Sequence, residues 1–345
     1  MKLKNDYETI RSITFLIVSI IGIIGNFAAF VIYRTPQMRK STVGTLLFIV
    51  SIIDVILLIL SAYTFSIVRL PIWPNHHPNS TSMMITSVTS CFLYPMCNMV
   101  KSCSLYFLVL ITIERWIAVC RPLQAKILCT NRNTLRAGIV IVIYSILFNI
   151  PKFFDYTYND SYVFEIWMLD PEQHFWYFLT SYGILSTLFD YLIPIIIMVI
   201  ANYHVVRELR RNDETITTLN VQKRKEQNTT VMLLVVTIFF TICHSFGGVL
   251  KIIECICGRF MPTGKQDFWM VFADLTVFLI IFHTSSTFFL YYAFSEKFRT
   301  IFWTVLRCRN KFNDENTKLS MFYPSAQTSM IIETKRKITN KENFL

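Results

Sequence analysis

The sequence predicts an all-α membrane protein: a seven-transmembrane helix bundle with a short amphipathic interfacial helix after span seven. Three observations carry this. Of 345 residues, 53% are apolar and only 16% are charged, whereas soluble domains run near a quarter charged. The apolar residues are gathered into uncharged stretches long enough to cross about 30 Å of hydrocarbon at about 1.5 Å per residue. Basic clusters separate those stretches. Hydrocarbon offers no partner for unpaired amides, so each span must be a helix.

The first span lies between Arg11 and Arg34, which enclose 22 uncharged residues. No cleavable-signal layout is seen near the start, so this span is expected to be retained. The second follows Lys40 and runs to Arg69, broken only by Asp54. The third runs from about Val88 to Val119, contains Lys101 and ends at Glu114-Arg115. The fourth, Ala137 to Phe154, is the shortest, and its uncharged core ends at Pro151. The fifth covers about Phe175 to Val206 with Asp190 and Pro194 inside it. The sixth runs from about Thr229 to Ile256, and the seventh from about Phe268 to Tyr292, uncharged after Asp274. Phe298, Ile301, Phe302, Val305 and Leu306 then recur at helical spacing, with Lys297, Arg299 and Arg307 on the other face. That is the pattern of a helix lying in the membrane interface. Three regions follow: an N-terminal segment 1–11, a membrane domain 12–308 and a polar tail 309–345 expected to be disordered.

With seven spans the two chain ends fall on opposite sides. Of the 33 Lys and Arg, 24 fall on the C-terminal side, which makes that side cytoplasmic and the N-terminus extracellular. The net charge of +11 therefore belongs to a membrane surface and its anionic lipids, not to a nucleic-acid groove. The sequons at Asn79 and Asn159 fall in outer loops, where glycosylation is possible, while a third at Asn228 falls inside. Cys308 closes the interfacial helix, and either carries palmitate or is an unmodified thiol. The nine cysteines show no paired CxxC sets and no metal-ligand spacing.

Several quoted motifs together resemble the rhodopsin-like G-protein-coupled receptors. They are Gly25-Asn26, Leu46 with Asp54, Glu114-Arg115-Trp116 followed by Ile117-Ala118-Val119-Cys120-Arg121-Pro122-Leu123, and Pro151 and Pro194. A narrower set resembles the invertebrate, nematode-type FMRFamide-like neuropeptide receptors: Tyr94-Pro95, Pro122-Leu123-Gln124-Ala125, Cys243-His244-Ser245-Phe246 in span six, and Ser285 to Tyr291 at the end of span seven. The resemblance implies a non-enzymatic receptor at the plasma membrane, activated by an extracellular peptide ending in Arg-Phe-amide. It would signal through a heterotrimeric G protein, and arrestin could bind Ser320, Ser325, Thr328 and Ser329 when phosphorylated. The chain departs from the pattern in several places that matter. Cys91 could be one partner of the family's outer disulfide, but no Cys lies between Cys129 and Cys243. Span four lacks the usual tryptophan, Thr287 replaces asparagine and Phe246 replaces proline.

The same resemblance assigns roles. Glu114, Arg115 and Trp116 form the coupling latch, with a local ion pair holding the inactive state; otherwise Arg115 only snorkels to the interface. Phe240, Cys243, His244, Thr287 and Tyr291 take the places of the activation switch. Asp54 with Ser104, His283 and Thr284 forms a polar network that could hold a sodium ion, or Asp54 is a protonated acid hydrogen-bonded in the core. Lys101, Asp190 and Asp274 face the ligand cavity, where Asp190 or Asp274 could pair with the peptide's arginine; alternatively Lys101 and Asp190 form an internal salt bridge. The outer-loop acids Asp155, Asp160, Glu165, Asp170, Glu172, Glu254 and Asp267 form an acidic mouth that steers a cationic peptide, or merely a polar rim. Two alternatives remain open. One keeps the fold but takes a small chemosensory ligand. The other is a transporter, channel or enzyme, which the lack of an internal repeat and of paired catalytic carboxylates disfavours.

Overall fold

A computed structural model describes residues 2–39, 41–67, 89–154, 156–158, 166–168, 184–213, 221–257 and 266–307. These hold seven helices long and apolar enough to cross a membrane. They are α1 (Lys2–Tyr33), α2 (Thr42–Phe65), α3 (Tyr94–Cys120), α4 (Asn131–Asn149), α5 (Ile193–Asp213), α6 (Val221–Cys257) and α7 (Gln266–Phe294). An eighth, α8, covers residues 296–307. Below, the N-side is the end of the bundle at which α1 begins, and the C-side is the end that carries α8.

Local chemistry sets several helix starts. The Ser41 hydroxyl accepts from the Gly44 amide at 3.1 Å and so caps α2, and Thr130 caps α4 through the Asn133 amide. Pro95 occupies the first turn of α3, where its missing N–H costs nothing. Between α7 and α8 the helix breaks at Ser295, whose hydroxyl accepts from the Phe298 amide at 3.2 Å. The turn this makes lays α8 across the C-side, with Phe298 buried and Tyr33 and Tyr291 packed against its ring at 5.5 and 6.0 Å.

The helices pack as their apolar faces require. α1 lies between α2 and α7, and Gly22 marks its closest approach: a Cβ there would stand 2.6 Å from the Ser285 Cβ and 2.8 Å from Leu58. The main core joins Leu46, Leu105, Ile111, Met198, Leu233 and Tyr291 from five helices. The outer faces carry Ile24, Ile139, Val140, Leu147 and Ile242, all exposed, the apolar belt that hydrocarbon covers.

Four expectations shift, the first being that α6 begins at Val221, eight residues before Thr229. α1 starts at Lys2, so residues N-terminal to Arg11 continue the first helix, one turn and more beyond the uncharged run. α4 starts at Asn131, six residues before Ala137, and passes at Ile150 into a tight 3-10 turn ending at Phe154, where Pro151 cannot donate an amide. α5 is entered through a π-helical turn, Thr187–Leu192, while its expected start near Phe175 lies outside the described residues. A short antiparallel hairpin, β1 (Tyr156–Tyr158) with β2 (Ile166–Met168), follows α4. The sequon residues Asn79 and Asn159, Cys308 and the tail serines and threonines lie outside the described residues. So do the acidic loop residues, as do the side chains of Glu254 and Asp267. Cys91 is a buried free thiol.

Candidate functional site

The N-side of the bundle encloses a cavity of about 440 Å³. Its polar wall carries Arg11 of α1, Lys101 of α3, Lys152 after α4, Asp190 before α5 and Asp274 of α7. The structure thus brings together all three residues assigned to the ligand cavity from sequence, and adds two cations that were not assigned. Both additions had a signal: Arg11 and Lys152 close the N-side ends of apolar runs, against the trend that places basic residues on the other side.

Asp190 is held on every side. Ser102 and Ser186 donate to its two oxygens at 3.1 Å each, and the Lys152 ammonium stands 3.8 Å away. Asn149 then ties Lys152 (2.8 Å) to Ser102 (3.3 Å). The internal partner of Asp190 is therefore Lys152 and not Lys101. Lys101 instead places its ammonium over the Tyr191 ring, 5.8 Å from the centroid. Asp274 sits nearer the mouth, taking 2.7 Å and 3.2 Å hydrogen bonds from Arg11 Nη1 and the Tyr7 hydroxyl.

The π-helical turn explains how this site reaches the core. Its Ile193 amide bonds five residues back to Leu188, so the turn is wider than an α-helix and its carbonyls need other partners. Tyr106 donates to the Phe189 carbonyl at 2.7 Å, and His244 Nε2 lies 2.9 Å from the Asp190 carbonyl. A carbonyl only accepts, so Nε2 carries the proton. From there an aromatic column runs toward the centre of the bundle. Tyr191 stacks on His244 (4.8 Å, 21°), His244 on Phe240 (4.9 Å, 20°), and Phe240 meets His283 edge-on (4.7 Å, 76°). Cys243 is buried beside this column as a free thiol.

The mid-bundle polar residues divide into two groups. Ser104 donates to Asp54 at 2.8 Å. Thr287 donates to Asn26 Oδ1 at 3.0 Å, and Asn26 Nδ2 donates to the Thr284 carbonyl at 2.9 Å. The Thr284 hydroxyl turns back to Ile280 of its own helix. His283 faces Phe240, and its buried Nε2 makes no hydrogen bond among the described residues. Asp54 and Ser104 are thus joined, while His283 and Thr284 direct their side chains elsewhere.

On the C-side the latch residues lie together. Glu114 is buried and accepts a hydrogen bond from the Thr134 hydroxyl of α4, so this carboxylate is anchored across two helices. Burial, and then the Glu114 charge, push the nearby Cys129 thiol up from its ordinary value. Arg115 borders a gap of only about 10 Å³, walled by Thr112, Asn202, Thr230, Leu233 and Thr237. The Trp116 ring receives the Arg121 guanidinium at 5.2 Å. Beyond it a short helix, Pro122–Leu128, holds Leu123 80% and Ile127 73% exposed.

Comparison with known proteins gives this bundle a family. The family model for serpentine type 7TM GPCR chemoreceptors, Srw, matches residues 12–309. The FMRFamide peptide receptor frpr-18 of Caenorhabditis elegans is 35% identical over 92% of this chain and 74% of its own length. The FMRFamide receptor of Drosophila melanogaster is 26% identical over 87% of this chain and 54% of its own length. Neuropeptide receptor 15 of Caenorhabditis elegans is 26% identical over 92% and 94% respectively. The chain belongs to the Srw family of serpentine seven-transmembrane G-protein-coupled receptors.

Proposed function

We propose that this receptor is activated by an extracellular neuropeptide of the RF-amide type and signals through a heterotrimeric G protein at the plasma membrane. In this reading the N-side is extracellular and the C-side cytoplasmic. The observation that carries it is the continuous path from the charged cavity, through Tyr191, His244 and Phe240, toward the core above Arg115. The names of the relatives point to the same ligand class. Because the gap beside Arg115 is about 10 Å³, a partner can engage that arginine only after the helices around it part. A ligand drives that change to the extent that it binds the open packing more tightly than the closed one. The exposed Leu123 and Ile127 then offer an apolar edge for the partner.

Burial and pairing favour Asp274 over Asp190 as the carboxylate for the peptide's arginine. Asp190 is 1% exposed and already holds three partners. The Asp274 side chain is 17% exposed and held by Arg11 and Tyr7, so a peptide guanidinium reaches it by exchange with Arg11. A sodium ion in the bundle would take Asp54 and Ser104, which offer the hard oxygen atoms that such an ion prefers. Arrestin binding to a phosphorylated tail and contact of the basic face of α8 with anionic lipids complete the proposal.

A second reading, a small chemosensory ligand, is favoured by the cavity volume, which falls in the range of small-molecule sites. Calcium and cyclic AMP responses to a panel of amidated RF-type peptides, in cells with confirmed surface expression, separate the two. A nanomolar response is expected. Silence across the panel, with a response to a small-molecule library, establishes the second reading instead.

A further inference from the structure

The N-side cavity holds more positive than negative charge. Arg11, Lys101 and Lys152 face only Asp190 and Asp274 among the described lining residues. Both carboxylates are engaged, Asp190 with Lys152 and Asp274 with Arg11. Lys101 is the cation left over: among the described residues its ammonium has the Tyr191 ring beneath it and no carboxylate within ion-pair reach. An ammonium inside a membrane span is costly unless a counter-charge or water meets it. It lines a cavity here, so its counter-charge can come from outside the chain.

Arg11 gives a second, independent indication. Its side chain is 9% exposed, and it reaches Asp274 through Nη1 alone. Its Nε and Nη2 are buried and make no hydrogen bond among the described residues. A guanidinium offers five donors in a planar fork, and buried donors left unmade are destabilising. Arg11 lines the cavity, but the unused edge of its fork is covered by protein, so it meets a ligand only once the side chain turns away from Asp274. An arginine delivered by the ligand to Asp274 would raise the positive excess further.

We propose that the ligand of this cavity presents a carboxylate, held by the Lys101 ammonium and the unused edge of the Arg11 guanidinium. The proposal deepens the peptide reading and rests on it for the ligand's nature. A peptide amidated at its C-terminus has no terminal carboxylate, so the acid is an Asp or Glu side chain upstream of the Arg-Phe-amide. The ligand therefore carries both signs of charge: its arginine goes to Asp274, and its acid to Lys101 and Arg11. Such a pair of charges discriminates against RF-amide peptides that lack the acid, because Lys101 would then be covered without a counter-charge.

The test uses the full-length receptor in cells and peptides made in matched Glu and Gln versions, differing at one upstream residue. The Glu version should be about tenfold more potent on the wild type, the scale of one charge-assisted hydrogen bond. Lys101→Met should bring the two versions to the same potency, and Lys101→Arg should restore the difference. Equal potency of both versions on the wild type overturns the assignment while leaving the peptide reading intact. If no peptide evokes a response, the peptide reading fails and the assignment is decided on purified receptor. N-acetylglutamate should then raise the melting temperature of the wild type but not of Lys101→Met, while N-acetylglutamine at equal ionic strength should not. An equal effect of the two probes, or no effect of either, overturns it.

Discussion

The two ends of the bundle are built in opposite ways. The N-side half encloses about 440 Å³ and lines it with five charged side chains. The C-side half closes on Arg115 with a gap of about 10 Å³, room for roughly one water. Charge on the N-side is balanced mainly between side chains distant in sequence: Arg11 with Asp274, Lys152 with Asp190. On the C-side Glu114 is anchored by a neutral hydroxyl, that of Thr134. The difference teaches which half is ready to bind. A cavity already open and charged needs only an occupant, whereas a closed arginine needs a rearrangement first. Coupling between them must then pass through the packed middle, where Tyr191, His244 and Phe240 stack face to face.

Removing the C-side arginine is expected to have the largest effect. Arg115→Ala should abolish the second-messenger response while leaving surface expression and ligand binding intact, because the cavity lies at the other end. Immunostaining of intact cells, radioligand binding and calcium output measure the three quantities together. Normal signalling from this variant would sink the latch and with it the division of labour between the halves.

Next in size is Asp190→Asn. Lys152 is buried and relies on that carboxylate, and removing one member of a buried ion pair costs about 3–5 kcal/mol. A large drop in melting temperature is expected, with most of it recovered in the double variant Asp190→Asn, Lys152→Met. If the single variant melts like the wild type, the N-side pair is not the structural element described here, and Asp190 returns as a candidate for the ligand's arginine.

Much of this was legible in the sequence. The seven spans follow from uncharged runs, and the apolar spacing of Phe298, Ile301 and Phe302 places α8, because both signals depend only on the order of residues and on hydrocarbon's intolerance of charge. Glu114, Arg115 and Trp116 are adjacent in the chain, so their proximity is automatic. What could not be read are pairings across helices. Arg11 and Asp274 are 263 positions apart, and nothing local says that α1 continues past Arg11 far enough to bring it against α7. The exchange of Lys101 for Lys152 as the partner of Asp190 has the same origin. It depends on the π-helical turn at Thr187–Leu192 and the tight turn after Asn149, which set the rotation of both side chains.

The smallest expected effect on stability sharpens the contrast within the N-side itself. Asp274 and Asp190 are both paired carboxylates, but the Asp274 side chain is 17% exposed and its partner Arg11 lies at the cavity wall. Water reaches this pair more readily than the Lys152–Asp190 pair, at 9% and 17% against 5% and 1% exposure, so Asp274→Asn should lower the melting temperature less than Asp190→Asn does. Its effect on an arginine-bearing peptide should be larger, about tenfold in potency, because a charge-assisted pair is lost. The ratio of the two effects is the informative quantity. A small thermal shift with a large loss of potency identifies Asp274 as a carboxylate poised for the ligand. A thermal shift as large as that of Asp190→Asn would make both carboxylates structural, and the peptide's arginine would then need another partner in the cavity.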